Sequence, residues 1–410
     1  MSDLASLIHD WNVDPGAPVG EGRRVWFDDE TLRDGSQSPS VAIPSLDDKL
    51  MFLHCIDRLG IRYADVGLPG AGPRAAHDAA VLCGEAVRAG LGVKPNCAAR
   101  TAEQDIVPIL EISAQVGFPV EVMLFLGSSP IRASVEGWSV DELVVRTERW
   151  VSFAVTRGAP VTFVTEDTTR SRPEHLRRIY QAAVGAGASR VCLADTAGHA
   201  TPIGAWAVVR YVREVLDEAG AEHVGIDWHG HNDRGLAVAN ALAAAYAGAD
   251  RLHATALGVG ERVGNPPMEQ LLANARLLGW STHALEHLGA YVETASRMFG
   301  IEVPPWAPVV GRDAFRTSTG VHAAAILKAR EHGEEGIADL VYSAIPAVWL
   351  GRTQQIEVGP MSGTSNVRWW LREHGYEESP ELIERLFAAG KQADRALTDE
   401  ELHGLAKSLP

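Results

Sequence analysis

The chain has 410 residues, with 37 lysines and arginines against 53 aspartates and glutamates, for a formal net charge of −16. This length suits one large barrel with an appendage, or two to three ordinary domains. Hydrophobic residues make up 46% and charged residues 22%, which argues against wholesale disorder, and the acidic balance argues against nucleic-acid binding, which needs a basic face.

The sequence gives no indication of export or of membrane insertion. Residues 1–22 lack the basic start and the apolar core of a signal peptide, and no uninterrupted apolar stretch approaches the ~18 residues of a membrane span. The four cysteines lie far apart and form no CxxC pair, so we expect neither a structural zinc site nor a disulfide framework. We therefore expect a cytoplasmic protein, with residues 1–23 as an N-terminal extension.

From Arg24 onward, short apolar runs alternate with longer segments of helical periodicity. Eight runs predict β-strands, at residues 25–27, 63–66, 93–98, 120–126, 161–165, 191–194, 224–228 and 252–256. The amphipathic segments between them, such as 45–59, 174–184 and 236–246, predict helices. Eight such repeats over roughly 260 residues predict an α/β fold, a (β/α)8 TIM barrel, over residues 24–285. A doubly wound open sheet is the alternative, but no Gly-rich phosphate loop follows the first strand.

The β/α alternation stops after about Trp280. Residues 302–308 contain three prolines and predict a linker, which a helix at 320–329 and an irregular Gly/Ser segment at 359–365 follow. We predict a linker and a small helical lid subdomain over residues 286–363, and a C-terminal helical tail over 364–410.

Dense polar clusters follow five of the eight predicted strands, at residues 28–37, 166–170, 195–199, 229–233 and 258–265. Barrel enzymes carry their catalytic groups at the carboxyl ends of the strands and in the loops that follow them. The clusters therefore predict an active site at that end of the barrel.

Two histidines after the seventh strand suggest a metal site. His229 and His231 are two residues apart, so both side chains leave the same face of a strand. Asp34 follows strand one and Asn265 follows strand eight, and strands seven, eight and one are contiguous in a closed barrel. The four side chains could converge on Zn²⁺, Mn²⁺ or Mg²⁺ acting as a Lewis acid. The alternative is that the histidines only cap a strand by hydrogen bonds to the backbone.

Arg33 lies beside Asp34 and is a candidate to neutralise a developing oxyanion. Its alternative role is an ion pair with one of the three acidic residues at 28–30. Arg100 is a candidate to bind a second substrate carboxylate, with a surface ion pair as its alternative.

The polar motifs resemble a known enzyme family. Residues 31–37 (TLRDGSQ), 166–167 (ED), 195–198 (DTAG), 229–233 (HGHND) and 258–265 (GVGERVGN) are similar, in matching order, to 2-isopropylmalate synthase and homocitrate synthase. These synthases are metal-dependent TIM barrels related to hydroxymethylglutaryl-CoA lyase. The resemblance resumes at 318–322 (STGVH) and 342–346 (YSAIP).

The resemblance implies a Claisen-type condensation of acetyl-CoA with a 2-oxo acid, giving a 2-alkylmalate and CoA. It implies that a divalent metal ion, Mg, Mn or Zn, is bound by Asp34, His229 and His231, with Asn265 in or next to the coordination shell. A reaction like that of 2-isopropylmalate synthase is the first expectation; homocitrate, citramalate and phosphonomethylmalate synthesis are the alternatives.

The resemblance also implies roles for individual residues. Arg33 would polarise the reacting oxygens, and Glu166 would lie near the metal-bound substrate. Thr196 would hold the carboxylate of the 2-oxo acid, and Gln37 would also bind substrate. It also implies two further catalytic residues in the lid, His322 and Tyr342. In this family the lid reaches the active site of a partner subunit, so the resemblance implies a homodimer. From the residues alone, His322 could equally be a helix-surface histidine and Tyr342 a packing residue.

Differences from related enzymes reduce the number of enzyme classes that fit the sequence. The lyase has a catalytic cysteine in the loop after strand eight, and residues 258–265 contain none. The related biotin-dependent carboxyltransferases use a mid-barrel lysine, and the predicted fourth and fifth strands contain none. Only 47 residues follow Gly363, so we expect no feedback-regulatory domain. An acyl-CoA lyase or aldolase, and a non-catalytic barrel, remain as lesser alternatives.

Overall fold

A closed barrel of eight parallel strands forms the first part of the molecule. The computed structural model describes residues 7–9, 12 and 24–407, so most of the predicted N-terminal extension and the last three residues of the predicted tail lie outside the described residues. The strands follow one another in chain order around the barrel, and the eighth pairs with the first. They are β1 (Trp26–Asp29), β2 (Tyr63–Asp65), β3 (Lys94–Arg100), β4 (Glu121–Gly127), β5 (Val161–Glu166), β6 (Arg190–Asp195), β7 (Gly225–Gly230) and β8 (Arg251–Ala254). The predicted TIM barrel is confirmed.

Ten helices lie between or after these strands. They are α1 (Leu46–Arg58), α2 (Pro73–Arg88), α3 (Glu103–Val116), α4 (Pro130–Glu136), α5 (Val140–Val155), α6 (Pro173–Gly185), α7 (Pro202–Glu218), α8 (Ala237–Ala247), α9 (Met268–Leu277) and α10 (Leu288–Phe299). Local chemistry fixes several of their starts. Ser139 and Glu142 form a capping box at the start of α5, and α6 begins at a proline, whose missing N–H costs a helix nothing there.

A layer of charged side chains fills the barrel interior near the amino-terminal ends of the strands. Because side chains alternate along a strand, the same face of β4, β6, β7 and β8 brings Glu121, Arg190, Asp227 and Arg251 inward. Arg251 is fully buried and donates to Asp227 at 2.7 Å and to both oxygens of Glu121 at 2.8 and 3.0 Å. The charges are therefore paired, as buried charges must be.

Residues 24–302 and residues 303–407 fall into separate compact units. In the first unit α10 packs on α1, where the rings of Phe52 and Tyr291 lie 4.9 Å apart. The predicted divisions at residues 285 and 363 remain predictions. Of the described helices, none is long and apolar enough to cross a membrane.

The second unit consists of short helices around two small apolar clusters. Its elements are β9 (Arg316–Thr317), which pairs in parallel with β10 (Gln355–Ile356), and α11 (Gly320–Glu331), α12 (Glu335–Leu340), α13 (Thr364–Glu373), α14 (Pro380–Gln392) and α15 (Asp399–Lys407). One cluster joins α13, α14 and α15 through Trp370, Leu386 and Leu402. The other joins α11, α12 and α13 through Ile326, Ala338 and Trp369.

Candidate active site

A cavity of about 260 Å³ opens at the carboxyl ends of the barrel strands. Residues from all eight strands or the loops that follow them line it. Among the lining residues are seven of those that the sequence singled out: Arg33, Asp34, Gln37, Glu166, Thr196, His229 and His231.

Three buried donor side chains converge at one side of this cavity. The Nε2 atoms of His229 and His231 lie 3.3 Å apart. The Oδ2 atom of Asp34 lies 3.6 Å from the first and 3.9 Å from the second. Two imidazole nitrogens and one carboxylate oxygen that point at a common position form a donor set suited to a divalent cation.

Asn265 joins this group through the loop after β8. Its Nδ2 atom donates to Asp34 Oδ2 at 2.9 Å, while its own Oδ1 atom is buried without a hydrogen-bond partner in the described structure. A buried amide oxygen normally has a partner, and half a turn of the amide exchanges its oxygen and nitrogen. The unpartnered oxygen therefore fits a cation bound by Asp34 and the two histidines.

Glu30 orients the first of these histidines. One of its oxygens accepts from His229 Nδ1 at 2.7 Å, and the other accepts from His253 Nδ1 at 3.0 Å and from Arg33 at 2.8 Å. A proton held on Nδ1 leaves Nε2 of His229 with a free lone pair, the state that a metal ligand needs. Burial alone would raise the pKa of Glu30, but the neighbouring His229 and Arg33 hold it well below its ordinary value.

The sequence reasoning missed Glu30 and His253 as parts of the site. The sequence indicates Glu30 only as one of three acidic residues that could form an ion pair with Arg33. The strand period could have found both residues, because His253 lies two positions after the inward Arg251 on β8, and the register places β8 beside β1. Burial lowers the pKa of His253, but Glu30 and Asp227 outweigh it and raise the pKa to about 10.

Arg33 is held in place by three carboxylates. Its Nε atom donates to Asp65 at 2.7 Å, its Nη2 atom donates to Glu30, and its Nη1 atom lies 3.7 Å from Asp34. The sequence left two alternatives for Arg33, an ion pair with an acidic residue at 28–30 or a position at the metal site. In the structure Arg33 has both, because it pairs with Glu30 beside the metal-binding group. A guanidinium fixed by two hydrogen bonds presents its remaining donors to the cavity in one orientation.

Glu166 and Thr196 also line the cavity. Burial raises the pKa of the Glu166 carboxyl above its ordinary value, which brings its protonation closer to neutral pH. The Thr196 hydroxyl accepts from the backbone N–H of Asp167 at 2.8 Å, so its own proton is free to donate to a ligand.

Arg100 lies at the end of β3 but is not among the cavity-lining residues. Its guanidinium makes two hydrogen bonds to Asp105, at 2.6 and 2.8 Å, and its side chain is 55% exposed. The structure thus places it in the surface ion pair that the sequence offered as the alternative. Its predicted role with a substrate carboxylate has no support from this geometry.

His322 and Tyr342 lie together in the second unit. Their rings are stacked, with centroids 3.7 Å apart and planes 20° from parallel. His322 Nδ1 is also 3.4 Å from the hydroxyl of Thr317. The structure therefore brings into contact the two residues that the resemblance assigns to the lid, and their catalytic roles remain predictions.

The sequence comparisons agree with these motifs. Residues 24–290 match the family model described as HMGL-like. The chain belongs to the HMGL-like family. It is 32% identical to the homocitrate synthase AksA of Methanopyrus kandleri over 93% of this chain and 91% of that protein. It is 30% identical to the 2-isopropylmalate synthase of Shouchella clausii, over 93% and 73% of the two chains. The resemblance inferred from the motifs is confirmed.

Solved structures share the barrel of this HMGL-like protein. The HMG-CoA lyase of Bacillus subtilis superposes with a TM-score of 0.56 at 20% identity, over 70% of this chain and 97% of the lyase. The hydroxymethylglutaryl-CoA lyase of Pseudomonas aeruginosa gives a TM-score of 0.55, also at 20% identity, over 68% and 93%. At 20% identity, these similarities support the barrel fold and nothing more specific.

Proposed function

We propose that this HMGL-like protein is an acyltransferase that condenses acetyl-CoA with a 2-oxo acid to give a 2-alkylmalate and CoA. The observation that carries the proposal is the convergence of Asp34, His229 and His231 at a cavity that Arg33 and Glu166 also line. Relatives that are 30–32% identical over most of the chain, and that are named homocitrate synthase and 2-isopropylmalate synthase, support the same reaction class.

A divalent ion would be held by Asp34, His229 and His231, with Asn265 beside them. When bound, Mg²⁺, Mn²⁺ or Zn²⁺ would supply Lewis acidity to the ketone and carboxylate oxygens of the 2-oxo acid. Glu30 would keep the Nε2 lone pair of His229 available for the ion.

The side chains of the chain itself supply the remaining chemistry. Arg33 favours negative charge on the reacting oxygens, because it is positively charged, fixed and mostly buried. Thr196 and Gln37 are assigned to binding of the 2-oxo acid. Glu166 is the acidic residue assigned to a position near the substrate, and burial raises its pKa above the ordinary value.

The reaction balances with water as the only further reactant. The acetyl methyl group loses a proton to a base and forms a carbon–carbon bond to the ketone carbon, whose oxygen takes up a proton and becomes a hydroxyl. Water then cleaves the thioester to a carboxylate and the CoA thiol. We assign the proton transfers to His322 and Tyr342 acting from the partner subunit of a homodimer.

A cysteine-dependent lyase reaction fits this cavity poorly. Cys192 lines the cavity but is fully buried, and burial raises the pKa of its thiol well above the ordinary value. A buried, protonated thiol is a poor nucleophile and a poor base. The loop at 258–265 contains no cysteine at all. These observations favour condensation over cleavage.

The proposal is tested by CoA release from acetyl-CoA, measured with a thiol reagent. The protein is loaded with Mg²⁺, Mn²⁺ or Zn²⁺ and given 2-oxoisovalerate, pyruvate, 2-oxoglutarate, oxaloacetate or phosphonopyruvate in turn. We expect release that depends on one of these acids and on the metal. Absence of release with all five acids, or full activity after chelation, would contradict the proposal. His229→Ala separates a catalytic from a non-catalytic barrel, because turnover should disappear while the fold persists.

A further inference from the structure

We infer that the 2-oxo acid has an uncharged, apolar substituent on its ketone carbon, and that Leu68, Phe125 and Val164 select it. This inference rests on the proposed function and narrows its substrate. It would exclude a dicarboxylic or phosphonate-bearing 2-oxo acid as the preferred substrate.

The cavity has two chemically different halves. Residues of β1, β7 and β8 and the loops after them supply its polar half, which contains the metal-binding group and Arg33. Five strands or strand ends, β2 to β6, supply a wall of seven apolar or weakly polar side chains. The strand register makes this wall continuous, since Phe125 on β4 pairs with Val164 on β5, and Val164 with Cys192 on β6.

Three residues of this wall are only half-buried, although they lie among buried neighbours. Leu68, Phe125 and Val164 are partly exposed, whereas Ala98 and Met123 are each 4% exposed. All three of these partly exposed side chains line the cavity. Apolar surface at the mouth of a cavity gains free energy when an apolar ligand group covers it.

No cation in the wall is available for a second acidic group. Among the cavity-lining residues, all of which the structure describes, Arg33 is the one arginine and there is no lysine. Arg33 already donates hydrogen bonds to Asp65 and Glu30. Arg100, the one candidate that the sequence offered for this task, is bound to Asp105 outside the cavity.

Two acidic side chains of the cavity lining would repel a second acidic group on the substrate. Glu166 and Glu261 are carboxyl groups that line the cavity. Moving a carboxylate or phosphonate from water to an apolar wall without a partner is costly. A hydrophobic pocket rejects a substrate with one added hydroxyl by about 100-fold, and an unpaired charge costs more to bury than a hydroxyl.

The inference is tested by the kcat/KM values for matched pairs of 2-oxo acids with acetyl-CoA. The metal-loaded protein is assayed with pyruvate and 2-oxoisovalerate against oxaloacetate, 2-oxoglutarate and phosphonopyruvate. We expect the better apolar substrate to exceed every acidic one by about 100-fold or more. Turnover that is fastest with an acidic substrate would overturn the inference and leave the proposed function standing. Turnover with none of the five would overturn both.

Substitution of the wall gives a second test. Leu68→Arg places a cation in the wall, at a half-buried position that lines the cavity, and Leu68→Met is the matched apolar control. We expect the ratio of kcat/KM for 2-oxoglutarate to that for 2-oxoisovalerate to rise at least ~10-fold in Leu68→Arg and to stay within about threefold in Leu68→Met. A folded, metal-binding Leu68→Arg protein with an unchanged ratio would contradict the assignment of Leu68 to substrate selection. The comparison of substrates with the unsubstituted protein does not depend on this variant.

Discussion

At the scale of single residues, Glu30 connects the metal-binding group to Arg33. Glu30 contacts both His229 and His253 and also Arg33. One carboxylate thereby fixes the imidazole of a proposed ligand and the guanidinium that faces the substrate. Such outer partners of metal ligands commonly contribute one to two orders of magnitude to metal affinity.

Replacing Glu30 should therefore weaken metal binding. We expect Glu30→Gln to lower the affinity for the divalent ion by about 10- to 100-fold, because the amide cannot accept from both histidines and from Arg33 at once. Titration of the metal against a chromogenic chelator measures this. Glu85→Gln is the matched control, since Glu85 also bonds a histidine and an arginine, His54 and Arg88, on the surface. Equal metal affinity in both variants would contradict the role of Glu30.

The sequence could predict the proposed ligands but not their supporting residues. His229 and His231 lie two apart at the end of β7, and Asp34 follows β1, which only β8 separates from β7, so alternation and closure suffice to bring them together. Glu30 stands in a run of three acidic residues, and only the register of β1 against β8 shows that it faces inward with His253. The surface position of Arg100 depends on Asp105, five residues later, which the strand pattern does not reveal.

At the scale of elements, the loop after β8 positions Asn265. The loop has left-handed backbone at Leu257 and Arg262 and at two glycines, Gly258 and Gly264. The backbone N–H of Asn265 donates to the carbonyl of Gly258 at 2.9 Å, which closes the loop. A turn this tight requires glycine where the two ends approach each other.

Gly264→Ala should open this loop. A Cβ atom at Gly264 would lie 1.8 Å from the Gly258 carbonyl oxygen, at a backbone φ of +87°. We expect turnover to fall at least ~10-fold while the circular dichroism of the barrel persists, because Asn265 is displaced from Asp34. Gly279→Ala is the control, since Gly279 has a similar φ of +71° but no atom within 4 Å of the added carbon. Equal activity in the two variants would show that the closure of the loop does not matter.

Helix α9 supports the same loop through Glu269. This buried carboxyl accepts from the backbone N–H of Leu257 at 3.1 Å, and burial raises its pKa to about 7 from the ordinary 4.5. The folded protein thus binds this proton more tightly than the unfolded chain does. The stabilisation is complete below about pH 4.5 and is lost as the pH rises through 7.

Glu269→Gln should remove this pH dependence, because glutamine keeps the acceptor and carries no charge. We expect the variant to exceed the unsubstituted protein in free energy of unfolding by roughly 1–3 kcal/mol at pH 8, with the difference vanishing near pH 5. Urea denaturation at the two pH values measures it. Glu293→Gln, on the exposed face of α10, is the control and should show no such difference. A Glu269→Gln protein that is destabilised equally at both pH values would contradict the pKa assignment.

At the scale of the whole molecule, a chain of net charge −16 must bind anionic substrates. Arg33 and His253, together with a divalent ion when one is bound, would supply positive potential at the cavity where the reaction needs it. The sequence predicted the barrel well, because eight β/α repeats determine closure. In the second unit it predicted the helix at 320–329 and the helical tail, which the structure has as α11 and as α13 to α15. It did not predict the stacking of His322 on Tyr342, because that is a contact between residues distant in the sequence.

Metal removal should affect stability as well as activity. Three buried donor groups that face one another gain free energy from a bound cation, and an ion at 100 times its dissociation constant contributes about 2.7 kcal/mol. We expect chelation to lower the thermal unfolding midpoint and readdition of the metal to restore it. His229→Ala is the control, since its midpoint should not respond to metal. A midpoint that is insensitive to chelation in the unsubstituted protein would contradict the metal site.

The formation of a carbon–carbon bond at the cavity is tested most directly by the mass of the product from acetyl-CoA with a trideuterated methyl group. With the metal and an apolar 2-oxo acid such as 2-oxoisovalerate, we expect one equivalent of CoA for each molecule of a 2-alkylmalate that retains two deuterium atoms, because one deuterium leaves the methyl group as the bond forms. Release of CoA together with acetate that keeps all three deuterium atoms, and with the 2-oxo acid unconsumed, would contradict it.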